Sequence, residues 1–132
     1  MTANDTPIGT LTMRTVAMPA NANPAGDIFG GWVMSQMDLA AFVAASERAR
    51  MRTVTAAVNS MAFEKPVKIG DTLCVYTHFE RVGRTSMTLR VEAWVHRHDR
   101  PAREKVTEAE FIMVAMDDDG RPAPVPQETI ET

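Results

Sequence analysis

The stretch that decides the fold is AGDIFGGWVMSQMDLAAFVAA, residues 25–45. From Ile28 onward it is almost continuously apolar, and it is rich in Ala, Met, Leu and Gln, which favour the helical conformation. Because this stretch is too long for a single strand, we predict one helix over residues 28–50, ending in the polar sequence SERAR. Apolar residues lie on nearly every side of the predicted helix, which is typical of a helix buried at the centre of a fold.

One carboxylate, Asp38, interrupts this apolar stretch, four residues after Met34 and four residues before Phe42. On a helix these apolar side chains flank the acid, and burying a charged group costs several kcal/mol unless partners compensate. The residues alone leave two interpretations open. Asp38 is either a chemically active acid or a structural acid that accepts hydrogen bonds from backbone amides or another side chain.

The rest of the chain changes to a period of two, which is typical of strands. We predict five strands, over residues 9–18, 53–63, 72–82, 85–98 and 104–117. The apolar face of the fourth strand consists of Met87, Leu89, Val91, Ala93 and Val95. Trp94 lies on its opposite face, where it indicates packing against another subunit. Because the connections are mostly short, pairing should be antiparallel, and we predict an α+β domain in which a curved sheet of five to six strands wraps the helix.

Length and charge limit the possible functions. The 132 residues suffice for one domain, which we place at residues 10–126 between a disordered tail over 1–9 and a C-terminal tail over 127–132. A net charge of −3, without a basic stripe, argues against nucleic-acid binding. Polar residues within 28–45 argue against a membrane span.

Cysteine and histidine usage also carry expectations about location and metals. Cys74 is the single cysteine, so we expect no internal disulfide and no cysteine metal cluster. His96 and His98 share a strand face, but no carboxylate or cysteine arrangement accompanies them, so we expect no metal. The first ten residues have no cationic run followed by an apolar core, which predicts no signal peptide. With a single cysteine, we expect a reduced, cytoplasmic location.

Three motifs carry a resemblance to a known family. They are MPANANPAGDIFGGWVMSQMD (18–38), VNSMAFEKPVKIGD (58–71) and RVGRTSMTLRVEAWV (81–95). In this order and spacing they resemble the hotdog-fold acyl-CoA thioesterases of the YciA type, over about residues 10–126. The resemblance implies the hotdog fold, in which an antiparallel sheet wraps a helix. It also implies hydrolysis of acyl-CoA to coenzyme A and a carboxylic acid, without a cofactor.

The same resemblance implies a set of catalytic residues. Asp38 corresponds to the catalytic acid, acting as general base or as nucleophile. Asn23 corresponds to the loop asparagine that binds the thioester carbonyl or the attacking water, with Asn21 as a nearby competitor and a loop turn as the ordinary alternative. Gly30 and Gly31 begin the helix, and we expect the Gly31 N–H to form the oxyanion hole rather than only to permit close packing.

Residues on either side of this catalytic set are implied to bind the substrate. Ser60 and Phe63 correspond to the wall of the acyl tunnel, although either is equally compatible with ordinary core packing. Lys65 and Arg84 are implied to hold the phosphates of coenzyme A, since both are cations and Arg84 carries several donors. The hydroxyls of Thr85 and Ser86, next to Arg84, add further donors. The alternative to coenzyme A binding is that these residues only form a hairpin turn.

The resemblance further implies a homo-oligomer, a dimer assembled into a trimer of dimers, with active sites at the dimer interface. Two other functions compete with hydrolysis. A hotdog dehydratase normally needs a histidine near the start of the central helix, and residues 19–45 contain none. A non-catalytic module that senses acyl-CoA would use the same pocket but would leave Asp38 without a chemical role. We expect Asp27, just before the helix, to cap it, and the alternative is a second polar group at the mouth of the site.

Overall fold

The fold is defined by a computed structural model that describes residues 6–127. One long helix, α1, spans Gly30–Ala49, after a short 3-10 turn at Pro19–Asn21. The strands are β1 Thr10–Val16, β2 Thr53–Phe63, β3 Thr72–Val82, β4 Ser86–His96 and β5 Arg103–Ala115. This order confirms the predicted succession of one strand, a loop, a helix and four strands. The parts of the two predicted tails at residues 1–5 and 128–132 lie outside the described residues.

All five strands form one antiparallel sheet in the order β1-β3-β4-β5-β2, so β1 and β2 are its edges. The helix lies against one face of this sheet and contacts every strand. The predicted apolar face of β4, from Met87 to Val95, is confirmed as part of the core. Fully buried side chains from β3 and β5, among them Leu73, Phe111 and Met113, complete that core. Their burial supplies most of the driving force for folding.

The helix is buried on one side only. Its buried positions are Val33, Met37, Ala40, Ala41, Ala45 and Ala49. On the other side Met34, Leu39, Phe42 and Val43 are 41–51% exposed. The expectation of a helix buried all round is therefore wrong for a single chain, because one sheet reaches only one side of it. This much exposed apolar surface is typical of a subunit that associates with other chains.

On the outer face of the sheet, Trp94 is covered by the chain itself. Trp94 is only 2% exposed and donates its indole N–H to Glu92 Oε1 at 2.9 Å. The expectation that Trp94 packs against another subunit is therefore wrong. Glu92 also accepts from Arg90 Nε at 2.7 Å and from the backbone N–H of Ile8 at 3.4 Å. Ile8 belongs to the stretch predicted as a tail, and this contact places it against the sheet.

Candidate active site

Asp38 is held by a threonine on the neighbouring edge strand. The Thr55 hydroxyl, on β2, donates to Asp38 Oδ1 at 2.5 Å. Thr55 lies opposite Met113 of β5, whose buried sulfur is 3.4 Å from the same hydroxyl oxygen. The backbone register of an edge strand thus fixes the hydroxyl, and the hydroxyl in turn orients one carboxylate oxygen. The other oxygen, Oδ2, accepts no hydrogen bond from any residue in the described range 6–127.

The environment of Asp38 differs from the one that the sequence predicts. Asp38 is exposed in the single chain, and so are Met34 and Phe42, one turn to either side. The acid therefore sits within an apolar surface rather than in a closed core. A carboxylate in such a place keeps its water in one chain and loses it when another apolar surface covers the patch.

The start of the helix presents unpaired backbone amides. Phe29 is the N-cap residue and offers no side-chain acceptor, and the first backbone hydrogen bonds run from Trp32 and Val33 to the Phe29 carbonyl. The N–H groups of Gly30 and Gly31 have no acceptor within the described part of the chain. A Cβ at Gly31 would meet no atom within 4 Å, so open space lies in front of this residue. These amides can stabilise a developing negative charge.

The loop before the helix is closed by Asn23. Its side-chain oxygen accepts from the backbone N–H of Ala25 at 2.9 Å and of Asp27 at 3.0 Å. Asn23 therefore has the ordinary role of a loop asparagine, which is to close a turn. Its side-chain NH₂ group remains available to bind a ligand. Asn21, its competitor, accepts from the Met18 N–H at 3.1 Å. Asp27 does not cap the helix, because its carboxylate forms an ion pair with Lys68 instead.

The strand predicted to line the substrate tunnel is irregular. The pairing of β2 with β5 shifts between Asn59 and Ala62, and Ser60 has a φ of +61°. The regular alternation predicted for residues 58–63 is therefore wrong at this bulge, which turns side chains away from the pleat. Phe63, beyond the bulge, would lie 3.3 Å from a Cβ at Gly30, so its ring faces the start of the helix. Lys65 follows in an exposed turn.

The hairpin between β3 and β4 presents Arg84 to solvent. The turn is closed by a hydrogen bond from the Gly83 N–H to the Ser86 carbonyl at 2.7 Å, and the Arg84 and Thr85 carbonyls accept from Val125 and Ala115. These bonds fix the backbone of the turn, and the Arg84 side chain is exposed while Thr85 and Ser86 are half-buried. The ordinary hairpin role is thus established, and a free guanidinium remains available for an anion.

Within one chain the predicted residues fall into two groups. Ser86 pairs with Val114, and Val114 pairs with Val54, so the Arg84 hairpin lies at the same end of the sheet as Thr55. Phe63 pairs with Thr107, towards the other end. Gly30 and Asp38 are separated by about 12 Å along the helix, from a rise of about 1.5 Å per residue. The structure therefore does not bring Asn23, Gly31 and Asp38 together around one small group in a single chain.

One residue of the site was missed by the sequence reasoning. Thr55 is the partner of Asp38, yet in the sequence TVTAAV it is an ordinary strand threonine. Its spacing from Asp38 carries no periodic signal, because the two residues meet across elements.

A groove of about 1100 Å³ runs along the opposite flank of the helix, between Val43 and Phe79, away from Asp38. In the described chain, 6–127, no group of three metal-ligating side chains occurs, and no helix is long and apolar enough to cross a membrane.

Comparison with known proteins gives the class that this fold and site define. The family described as "Thioesterase superfamily" matches residues 25–102. A hexameric thioesterase from Yersinia pestis has a TM-score of 0.87 at 46% identity, over 92% of this chain and 99% of the other. A hexameric hotdog fold thioesterase from Campylobacter jejuni has a TM-score of 0.83 at 39% identity, over 89% and 91%. The chain belongs to the thioesterase superfamily and has its hotdog fold.

A narrower assignment follows from sequence identity. The acyl-CoA thioester hydrolase YciA of Salmonella typhimurium is 48% identical over 128 residues, which cover 95% of this chain and 96% of the relative. Within the superfamily the chain is thus a member of the YciA-type acyl-CoA thioester hydrolases. This confirms the resemblance drawn from the three motifs.

Proposed function

We propose that this protein hydrolyses acyl-CoA thioesters to coenzyme A and a carboxylic acid, with Asp38 as the catalytic acid. The observation that carries the proposal is the carboxylate of Asp38, oriented by Thr55 within an exposed apolar patch. Oδ2 is free to take a proton from water or to attack a carbonyl carbon. The apolar side chains around it, Met34 and Phe42, suit an acyl chain. Membership of the YciA-type hydrolases supports the same assignment.

Two routes are open to the reaction, with Asp38 as general base or as nucleophile. As a general base, Asp38 removes a proton from water while the water oxygen bonds to the thioester carbon; the C–S bond then breaks and the thiolate of coenzyme A takes a proton. As a nucleophile, the carboxylate itself bonds to the thioester carbon, the C–S bond breaks and the thiolate of coenzyme A leaves and takes a proton; water then opens the resulting anhydride to the carboxylic acid and free Asp38. In both cases the carbonyl oxygen gains negative charge. The Gly31 N–H, with open space before it, is suited to donate to that oxygen.

The substrate residues take roles that match their positions. Asn23 has its NH₂ group left to bind the carbonyl or the attacking water, and Phe63 packs beside Gly30, where the pantetheine arm would pass. Arg84 bears an exposed guanidinium suited to the phosphates of coenzyme A. Lys65 adds a second cation for the phosphates. The remaining proposed substrate-binding groups are the hydroxyls of Ser60, Thr85 and Ser86.

The active site is proposed to be shared between two subunits. In one chain Gly31 and Asp38 lie on the same helix, about two turns apart, so a thioester at Gly31 is out of reach of its own Asp38. A second chain, packed through the exposed flank of α1 and the edge strand β2, would bring its Asp38 to this point. The solved relatives are hexamers, which supports a trimer of such dimers. We place the protein in the cytoplasm, and its reaction requires no cofactor.

A non-catalytic acyl-CoA sensor is the second candidate. The same exposed apolar patch and the same cations would serve binding alone. The hydrogen bond from Thr55 disfavours this role, because it orients a carboxylate that a sensor would have no reason to keep beside an acyl pocket.

The deciding experiment measures free thiol released from a panel of acyl-CoAs, from short to long chains, by the purified full-length protein. We expect turnover of several members of the panel, with a preference for chain length set by the apolar patch. Tight binding of acyl-CoA without release of thiol would overturn the proposal in favour of the sensor.

Thr55 gives a prediction about positioning. Replacing Thr55 by Val keeps the shape but removes the hydroxyl. We expect kcat to fall by about 10- to 150-fold while KM stays nearly unchanged, since a lost hydrogen bond to a charged group costs about 1.5–3 kcal/mol. Thr55→Ser retains the hydroxyl and should keep most of the activity. Steady-state kinetics on one good acyl-CoA checks both variants. Equal kcat values for Thr55→Val and the wild type would show that the hydrogen bond does not serve the reaction.

A further inference from the structure

A second cavity, of about 410 Å³, opens on the outer face of the sheet, on the side away from α1. It is lined by Arg14, Thr72, Cys74, His96, Pro101 and Arg103. These residues come from β1, β3, β4 and β5 and from the turn between β4 and β5. They lie at the end of the sheet opposite the Arg84 hairpin, because Thr72 pairs with His96 and His96 pairs with Arg103.

The charge of this cavity is unusual for the chain. Three of its lining side chains are cations or can become cations, and none of the lining residues carries a carboxylate. The chain as a whole has a net charge of −3. Arg103 lies directly across from His96 in the β4–β5 register, and both line the cavity.

Two other cations on the same sheet face are paired. Arg90 bonds to Glu92 and Glu108, and Lys105 bonds to Glu108. Burial acts to lower the pKa of Arg90, but its hydrogen bond to Glu92 and the nearby carboxylates outweigh burial and raise that pKa. Arg14 and Arg103 form no ion pair within residues 6–127. Arg14 and Arg103 therefore lack a carboxylate partner in this described range and line a concave space, whereas Arg90 and Lys105 nearby are neutralised. This contrast indicates a site for a negatively charged ligand.

Arg103 is also fixed in place. Its Nη1 donates to the hydroxyl of Tyr76 at 2.5 Å, and Tyr76 is 7% exposed and packed with Cys74 and Trp94. One N–H of the guanidinium is therefore used to hold the group, and its remaining N–H groups are free to bind. Arg14 lies across from Cys74 in the β1–β3 register, on the far side of the cavity, and contact with the thiol raises the pKa of Arg14. Thr72 also lines the cavity and carries a hydroxyl.

We propose that this cavity binds a small molecule carrying a phosphate or pyrophosphate group, held by Arg14, Arg103 and His96. Planar guanidinium groups donate paired hydrogen bonds that match phosphate oxygens. The volume exceeds what one phosphate ion fills and lies in the range of small-molecule pockets, about 300–1000 Å³. The site is distinct from the proposed thioesterase site, which lies on the helix side of the sheet.

Calorimetric titration of the full-length protein with pyrophosphate at low ionic strength tests this assignment, with inorganic phosphate as a second probe. We expect saturable binding of pyrophosphate to the wild type. Arg14→Gln and Arg103→Gln should each weaken it at least about tenfold, the loss expected for one charged hydrogen bond. Arg14→Gln leaves the Tyr76 contact intact, so it is informative even if Arg103→Gln lowers stability.

Two control variants test whether binding depends on this cavity or only on the presence of surface arginines. Arg121→Gln and Arg52→Gln each remove the same charge from an exposed position away from the cavity. Both should bind pyrophosphate within about twofold of the wild type, because neither lines the cavity. Absence of saturable binding, or equal weakening by Arg121→Gln or Arg52→Gln, would overturn the proposal. Failure of hydrolysis in the acyl-CoA panel would leave this binding result unaffected.

Discussion

Replacing Asp38 by Asn lowers the kcat for acyl-CoA hydrolysis by about 10²–10⁴-fold, the range that a positioned general base contributes. A carboxamide cannot take the proton from water and cannot form the acyl bond, so either proposed mechanism is lost. The side-chain oxygen still accepts from Thr55, and the position is exposed, so the fold should be unaffected. Thiol release and thermal unfolding, measured on the same preparation, check both halves of this expectation.

Glu47→Gln is the matched control. Glu47 is an exposed acid on the same helix, on the flank that lines the groove of about 1100 Å³, away from Thr55. It loses the same charge and should keep full activity. Hydrolysis by Asp38→Asn at a rate close to that of the wild type would remove Asp38 from the reaction and return it to the structural interpretation.

Mixing two inactive variants restores activity if the site is shared. Gly31→Val fills the open space before the Gly31 amide and should abolish hydrolysis without disturbing the chain, since a Cβ there meets no atom within 4 Å. In a dimer of one Gly31→Val chain and one Asp38→Asn chain, one of the two sites keeps both native residues. Random pairing makes half of the dimers mixed, so co-expression should give about a quarter of wild-type activity.

The same experiment distinguishes a site shared between two chains from a site formed within one chain. Each variant purified alone serves as the control, and separate tags on the two chains allow the mixed assembly to be isolated. If Gly31 and Asp38 of one chain formed the site, every chain in the mixture would lack one of them. Activity of the mixed assembly no higher than that of the separate variants would therefore contradict a shared site.

The sequence by itself determined the succession of elements. The long helix, the four strands after it and the inner face of β4 follow from contacts between residues two to four positions apart, which periodicity records directly. The three motifs also carried the family, which the comparisons confirm. The catalytic roles of Asp38, Asn23 and Gly31 remain predictions of those motifs.

Only the tertiary structure decided which partners these residues meet. Asp38 finds Thr55 17 positions away, and Asp27 finds Lys68 41 positions away, through strand register and a loop path that no local pattern encodes. The bulge at Ser60 breaks the alternation that the sequence suggests, because edge pairing overrides residue type. The outer side of α1 is left open because a sheet of five strands wraps only one side of a helix. Trp94 is covered by its own chain because charged side chains that pair across strands lie beside it on the outer face of the sheet.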